Sequence, residues 1–255
     1  MDPGLGPPSA PRSCLPRRAI VARLHYVWTL TWCAVVSLAL VGPGLLYHRR
    51  RPTTRRFSRW MQAWSALVLG GIGVRVDRSG AAPSGPAVIV ANHQAMLDIP
   101  ALFLGVGRPF VFVARSELRG IPLVGRVLAA SRCVFLDLND PSPGLAEIAS
   151  RLAEGDAVLM FPEGSRSYGA VPRAFRSGAF RLAHAAGVPV VPVAIDGAHR
   201  VLNERRKQGR PGRVSVTVLP ALAPGGRAGP RELARVARER IVRSLAGETP
   251  LAAAA

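Results

Sequence analysis

The chain has 255 residues, enough for one globular domain with a buried core plus an appended anchor. A composition that is 49% hydrophobic and 19% charged excludes disorder through most of its length. The formal net charge of +19 is carried almost wholly by arginine, with Lys207 the only lysine. That excess favours anionic partners: phosphate head groups, an anionic membrane, a phosphorylated cofactor or nucleic acid. Nucleic-acid binding is the weakest of these, because aromatics are only 6% and no helix-turn-helix, zinc-finger or aromatic RNA-binding pattern is present.

Residues 1–16 are rich in Pro, Gly and Ser, and Arg17, Arg18 and Arg23 follow. From Tyr26 to Tyr47 there is no charged residue, about the length of a membrane span. Gly42-Pro43-Gly44 interrupts it, and Tyr26 to Val41 alone would give a helix of about 24 Å, short of the ~30 Å hydrocarbon core. A basic stretch, His48-Arg49-Arg50-Arg51, leads to a second uncharged segment, Trp60 to Val74. Two arrangements fit arginines on both sides of the first segment: a helical hairpin dipping into one leaflet, or a single span with its N-terminus outside. Both put the remainder of the chain on the cytoplasmic face. No small-x-small cleavage site follows, which argues against a signal peptide.

Beyond residue 85 short β-branched runs alternate with helical ones. The strand candidates are Ala87–Ala91, Phe110–Ala114, Cys133–Leu136, Ala157–Phe161, Val190–Ile195 and Val214–Leu219. Helices are expected at 98–105, 122–130, 142–154, 175–186 and 232–245. The alternation predicts an α/β fold, a mostly parallel central sheet flanked by helices, with the N-terminal membrane-associated helical segment or hairpin in front. Cys14, Cys33 and Cys133 are scattered and odd in number, so neither a disulfide framework nor a zinc site is expected, and no other metal cluster is visible.

Two short stretches carry chemistry. His93 follows a strand run and Asp98 lies five residues on, which on a regular helix would point them roughly 140° apart. They meet only if His93 sits in the strand-to-helix turn and Asp98 in the first helical turn. A carboxylate there would fix the imidazole tautomer and stabilise the cation formed when it takes a proton. No Gly-x-Ser-x-Gly elbow supplies a nucleophile, so the proton would come from a substrate hydroxyl. A serine hydrolase using Ser165 or Ser177 remains the rival. The second stretch, Phe161-Pro162-Glu163-Gly164-Ser165-Arg166-Ser167, also leaves a strand. It combines a sharp turn, free amides and a guanidinium suited to an anion.

Taken together, these blocks resemble the glycerolipid acyltransferase family, that of 1-acylglycerol-3-phosphate acyltransferases. Asn92, His93 and Asp98 match its first block, Phe161 to Ser167 its third with Ser165 for Thr, and Val191-Pro192-Val193 its fourth. Phe112 to Leu118 is similar to a family segment that usually carries lysine where Arg115 stands, and Arg173 to Ala179 to its Pro-Phe-Lys-x-Gly segment. The second block departs: Phe135-Leu136-Asp137 is followed by Leu138 where the family usually has arginine, and Arg132, a candidate to compensate, is expected on the other side of the strand exit.

The resemblance implies a membrane-bound O-acyltransferase of phospholipid biosynthesis. An acyl group would pass from acyl-CoA or acyl carrier protein, as co-substrate rather than cofactor, to the sn-2 hydroxyl of lysophosphatidic acid. Because of Leu138, another lysolipid such as lyso-ornithine lipid or lysophosphatidylglycerol stays open. His93 and Asp98 are the implied catalytic pair. Arg115, Glu163, Gly164, Ser165 and Arg166 are the implied substrate-binding residues, with amides near the Glu163-Gly164 turn, or a neighbouring amide, for the oxyanion and Glu163 orienting either that turn or the acceptor's other hydroxyl. Membrane lipids are implied partners and nucleic acid is not. The implied organisation is a flexible basic tail over 1–25, membrane-anchoring helical segments with an Arg-rich linker over 26–75, the acyltransferase domain over 76–246, and a flexible tail over 247–255.

Overall fold

The computed structural model describes residues 17–48, 53–121, 124–130, 132–223 and 229–248. The expected tails outside these ranges, and the arginines of 49–51, lie outside the described residues. Two long helices come first, α1 (Arg17–His48) and α2 (Thr54–Gly71). The α/β part follows as β1 (Val74–Ser79), β2 (Ala87–Ala91), α3 (Asp98–Gly105), β3 (Val111–Arg115), a 3₁₀ turn (Ser116–Gly120), α4 (Val124–Ala130), β4 (Val134–Leu136), α5 (Ser142–Ala153), β5 (Ala157–Met160), α6 (Gly178–Ala185), β6 (Val190–Asp196), α7 (Ala198–Val201), β7 (Leu202–Asn203), β8 (Gln208–Gly209), β9 (Gly212–Val218) and α8 (Pro230–Leu245).

Seven strands form one sheet in the order β1-β9-β6-β2-β5-β3-β4. Every pairing is parallel except β6–β9. Five strands, β6 to β4, therefore run the same way and release their chains at one edge, where open α/β sheets build their sites. Strand β2 is buried throughout and shows why. Its side chains alternate, Ala87, Ile89 and Ala91 entering the cluster that holds Leu102 and Phe103 of α3, and Val88 and Val90 the cluster of Ile148, Phe180 and Ala237 from α5, α6 and α8. A strand covered on both faces reads as a continuous apolar run, which is how it was visible in the sequence.

The front of the molecule differs from expectation in three places. Helix α1 starts at Arg17, so residues 17–25, expected in the flexible tail, are helical. The segment is tied down at His25, whose Nε2 lies 3.2 Å from the Ile72 carbonyl. The helix also continues through Pro43, where Gly-Pro-Gly suggested a stop, and Gly44 packs so closely on Trp60 that a Cβ would lie 2.8 Å from the indole. Finally, β1 had not been expected.

Helices α1 and α2 form an antiparallel hairpin. The Nε1 groups of Trp28 and Trp32 donate to the carbonyls of Gly71 (3.0 Å) and Leu67 (2.9 Å), and Trp64 Nε1 donates to Ser37 Oγ (3.1 Å). Gly71 is required by this contact, since a Cβ would overlap the Trp32 ring. Within α1, Arg17–Leu40 is long and apolar enough to cross a membrane by length and composition. Ile20, Val21, Leu24, Val27, Trp28, Val35 and Leu38 are exposed along it.

Candidate active site

The chain leaves β2 at Asn92. This residue is fully buried and bonds Ile195 of β6 twice, Nδ2 donating to the carbonyl at 2.9 Å and Oδ1 accepting the N–H at 2.7 Å. It continues the ladder with a side chain after the backbone has turned away, so the next residue, His93, is fixed in position at the sheet edge. The turn His93–Leu97 then folds around the Asp98 carboxylate at the start of α3. Oδ2 accepts the N–H groups of Gln94 (2.5 Å) and Ala95 (2.9 Å) and the Nδ1–H of His93 (2.7 Å). A carboxylate in the first turn of a helix is also favoured by the helix dipole. The pair thus meets as the sequence required, with His93 in the turn and Asp98 in the first helical turn. Since Nδ1 is held by Asp98, Nε2 is the ring nitrogen left for a substrate.

The chain leaving the neighbouring strand β5 completes the floor. The Phe161 ring stacks on the His93 ring, with centroids 4.0 Å apart and planes 15° off parallel. Glu163, expected to bind substrate, is buried and has both oxygens on backbone amides: Oε1 accepts His93 N–H at 2.7 Å and Oε2 accepts Arg173 N–H at 2.9 Å. It clamps the β2 exit to the loop before α6. Burial pushes its carboxyl above the ordinary value, opposed by the two amide bonds. The His93 carbonyl in turn accepts Ser167 N–H (2.7 Å) and Oγ–H (3.0 Å). Arg238 of α8 steadies the same loop by donating to the carbonyls of Pro172 and Arg173.

Gly164 takes φ +70°, a left-handed turn conformation natural to glycine. Its N–H donates to the Phe161 carbonyl, so it is not available to an oxyanion. The N–H groups of Ser165 and Arg166 have no acceptor among the described residues. Neither candidate serine pairs with the base: Ser165 Oγ accepts from Arg173 Nη1 at 2.7 Å, and no hydroxyl among the described residues bonds the His93 ring. Cys133 is buried at the start of β4, and burial pushes its thiol up to about 12. The arrangement suits a general base acting on a substrate hydroxyl better than a protein nucleophile.

His93 opens onto a cleft of about 640 Å³ at the ends of β3, β4 and β5. Its wall is mainly apolar, with Met96, Ile99, Phe112, Leu118, Leu136, Leu138, Met160 and Phe161, and its cations are Arg115 and Arg166. Arg115 is exposed at the rim and pairs with Glu117 at 2.7 Å. Arg166 donates to Glu204 at 2.6 Å and lies 5.3 Å from the Tyr168 ring centroid. Leu138 lines the cleft in the place where a cation was expected. Arg132 does not replace it: its guanidinium is held by Glu154 and Asp156, on the far side of the β4 entry. Among the described residues no group of His, Cys, Asp and Glu could hold a metal ion.

Sequence reasoning missed two participants. Gln94 is buried, and its Oε1 lies 3.0 Å from Nδ1 of His199 on α7, which links the catalytic turn to the β6 exit. Asn92 was seen as part of a block but not as the tie to β6. In both cases the partner lies more than a hundred residues away, where no local spacing signals it.

Comparison with known proteins bears on this geometry. The family model described as Acyltransferase matches residues 73–196. A 1-acyl-sn-glycerol-3-phosphate acyltransferase of Chlamydomonas reinhardtii is 37% identical over 170 residues, 65% of this chain and 50% of that protein. The lyso-ornithine lipid O-acyltransferase of Pseudomonas aeruginosa is 34% identical over 146 residues, 56% of this chain and 55% of that protein. The chain thus spans about half the length of the curated relatives it matches. In fold it is similar to the crystal structure of the 1-acyl-sn-glycerophosphate acyltransferase PlsC from Thermotoga maritima, with a TM-score of 0.78 at 24% identity, covering 90% of this chain and 97% of that one.

Proposed function

We propose that this chain, whose residues 73–196 match the Acyltransferase family model, is a member of the glycerolipid acyltransferase family and moves a fatty acyl group from a thioester, acyl-CoA or acyl carrier protein, to the sn-2 hydroxyl of lysophosphatidic acid. The observation that carries the reading is the His93–Asp98 pair at 2.7 Å, set at the floor of an apolar cleft with arginines at its rim. An acyl chain fits the Met, Leu, Ile and Phe wall, and Arg115 and Arg166 suit a phosphate.

In this mechanism His93 Nε2 removes the hydroxyl proton as the oxygen attacks the thioester carbonyl. Asp98 holds the tautomer and stabilises the imidazolium. The tetrahedral oxyanion is met by the N–H groups of Ser165 and Arg166. Collapse expels the thiolate, which takes the proton back from His93, so no acyl group is carried by the protein. The exposed apolar face of α1 supports a location at a cell membrane, where lipid substrate and product reside, and in this reading the catalytic domain faces the cytoplasm.

The test is acyl transfer by purified His93→Ala. A loss of about 10²–10⁴-fold is expected, with membrane binding and the unfolding transition retained, and transfer near the wild-type rate would remove the assignment. One observation favours a second acceptor. Leu138 makes the β4 exit apolar, and a relative matched above is named for lyso-ornithine lipid. A panel of lysolipids offered to the wild-type protein separates the two.

A further inference from the structure

Resting on the reading of the cleft as an acceptor site, we propose that Arg205, on the turn between β7 and β8, is a further phosphate-binding cation of this cleft beside Arg115 and Arg166, acting with Arg166 around the ring of Tyr168. At the β4 exit itself Leu138 lines the cleft, and Arg132 is tied to Glu154 and Asp156. On the other wall Tyr168 lines the cleft. The Arg166 guanidinium lies 5.3 Å and the Arg205 guanidinium 4.8 Å from its ring centroid, so the two cations are at most about 10 Å apart.

The placement is held on both sides. Tyr168 adopts φ 59°, a conformation that a bulky residue takes only when its surroundings fix it. The turn carrying Arg205 is closed by the β7–β8 pairing of Leu202 with Gly209 and Asn203 with Gln208, and by Asn203 Oδ1 accepting Arg206 N–H at 2.9 Å. Glu204 pairs with Arg166 at 2.6 Å, and no carboxylate among the described residues pairs with Arg205. Two guanidiniums thus flank the Tyr168 ring, and one carboxylate, Glu204, pairs with Arg166 alone. A phosphomonoester, with close to two negative charges and several acceptor oxygens, completes that balance. Both the acceptor lipid and a coenzyme A donor carry such a phosphate.

The experiment compares the detergent-solubilised wild-type chain with Arg205→Ala and, as a charge-matched control, Arg206→Ala. Each is assayed with lysophosphatidate against the phosphate-free 1-acylglycerol, and with acyl-CoA against the phosphate-free acyl-pantetheine. Arg205→Ala is expected to raise KM for lysophosphatidate about tenfold, with kcat within about threefold, and to show no such penalty with 1-acylglycerol. If KM rises for acyl-CoA and not for acyl-pantetheine, the phosphate is the donor's and the assignment of Arg205 stands. An unchanged KM, equal increases with phosphate-bearing and phosphate-free substrates, or an equal effect of Arg206→Ala overturns it. Calorimetric binding of lysophosphatidate to His93→Ala, with and without Arg205→Ala, separates this from failure of the proposed reaction. Should the wild type acylate no lysolipid, binding about tenfold weaker in the double variant still supports Arg205 as a phosphate ligand, and equal binding overturns it.

Discussion

The floor and the rim of the cleft are built on different terms. On the floor Asn92, Asp98 and Glu163 are buried, and each bonds backbone groups from a second segment or a neighbouring turn. His93 stands among them with 16% of its side chain exposed. At the rim Arg115 is 58% and Arg166 36% exposed, each tied to a single carboxylate. The exposed Arg115–Glu117 pair contributes little to stability, whereas the Arg166 pair is partly buried through Glu204. In the proposed mechanism the floor carries the reaction and the rim the choice of acceptor. The departure at Leu138 falls on the rim.

The contrast can be broken hardest at the floor. Asp98→Asn keeps an oxygen for the Gln94 and Ala95 amides, so the turn survives, but it removes the charge that stabilises imidazolium. We expect kcat to fall about 10³–10⁴-fold with KM little changed. A fall under about tenfold would mean that His93 is not the base. Glu163→Gln comes next. One of the two amides it holds, that of His93 or of Arg173, would face an amide NH₂ instead of an oxygen, a loss of about 1–3 kcal/mol. Up to about 10²-fold in kcat is expected, with substrate affinity retained, because Glu163 touches backbone and not the cleft. A change confined to KM would return it to the substrate-binding role that its motif suggests.

At the rim the effects are smaller and fall on KM. Leu138 is 47% exposed, so Leu138→Arg should leave stability within about 0.5 kcal/mol. If the β4 exit reads the acceptor head group, KM for lysophosphatidate should drop about two- to fivefold, with kcat unchanged. A drop in kcat with KM untouched would place this wall on the chemical step and blur the division between floor and rim.

The sequence carried the floor better than the rim, for physical reasons. Strand β2 and helix α3 lie where periodicity put them, because a strand buried on both faces and a helix begun by Asp98 leave local signatures. Helix angles set the condition under which His93 and Asp98 could meet, His93 in the turn and Asp98 in the first helical turn, and the fold meets it. Strand β1 was missed because its alternation, Val74-Arg75-Val76-Asp77, is short and ends at Arg78, and its ladder partner is β9, across most of the chain. The β7–β8 turn was missed for a related reason: two-residue strands carry no periodicity. With it went Arg205, whose closeness to Tyr168 exists only after folding. Glu163 was found, and of the two roles open to it, orienting the turn or the acceptor's other hydroxyl, the backbone amides it holds fit the first.

The smallest effect expected lies between floor and rim, at His199. Its Nδ1 faces Gln94, whose own N–H holds Asp98. Burial, then the neighbouring Arg200, lowers its affinity for a proton, against the pull of Asp196 and Asp98. The unfolded chain takes up that proton near the ordinary histidine value of about 6.5, where the folded chain does not yet do so. Between these two values the unfolded state binds more protons, so this residue makes stability rise with pH and costs stability as pH falls below that value. His199→Asn keeps a donor for Gln94 and removes the titration. Denaturant unfolding followed from pH 7 to pH 5 should therefore fall less steeply in the variant than in the wild type. Parallel slopes would show that His199 titrates alike in both states and that the link from rim to floor is not sensed electrostatically.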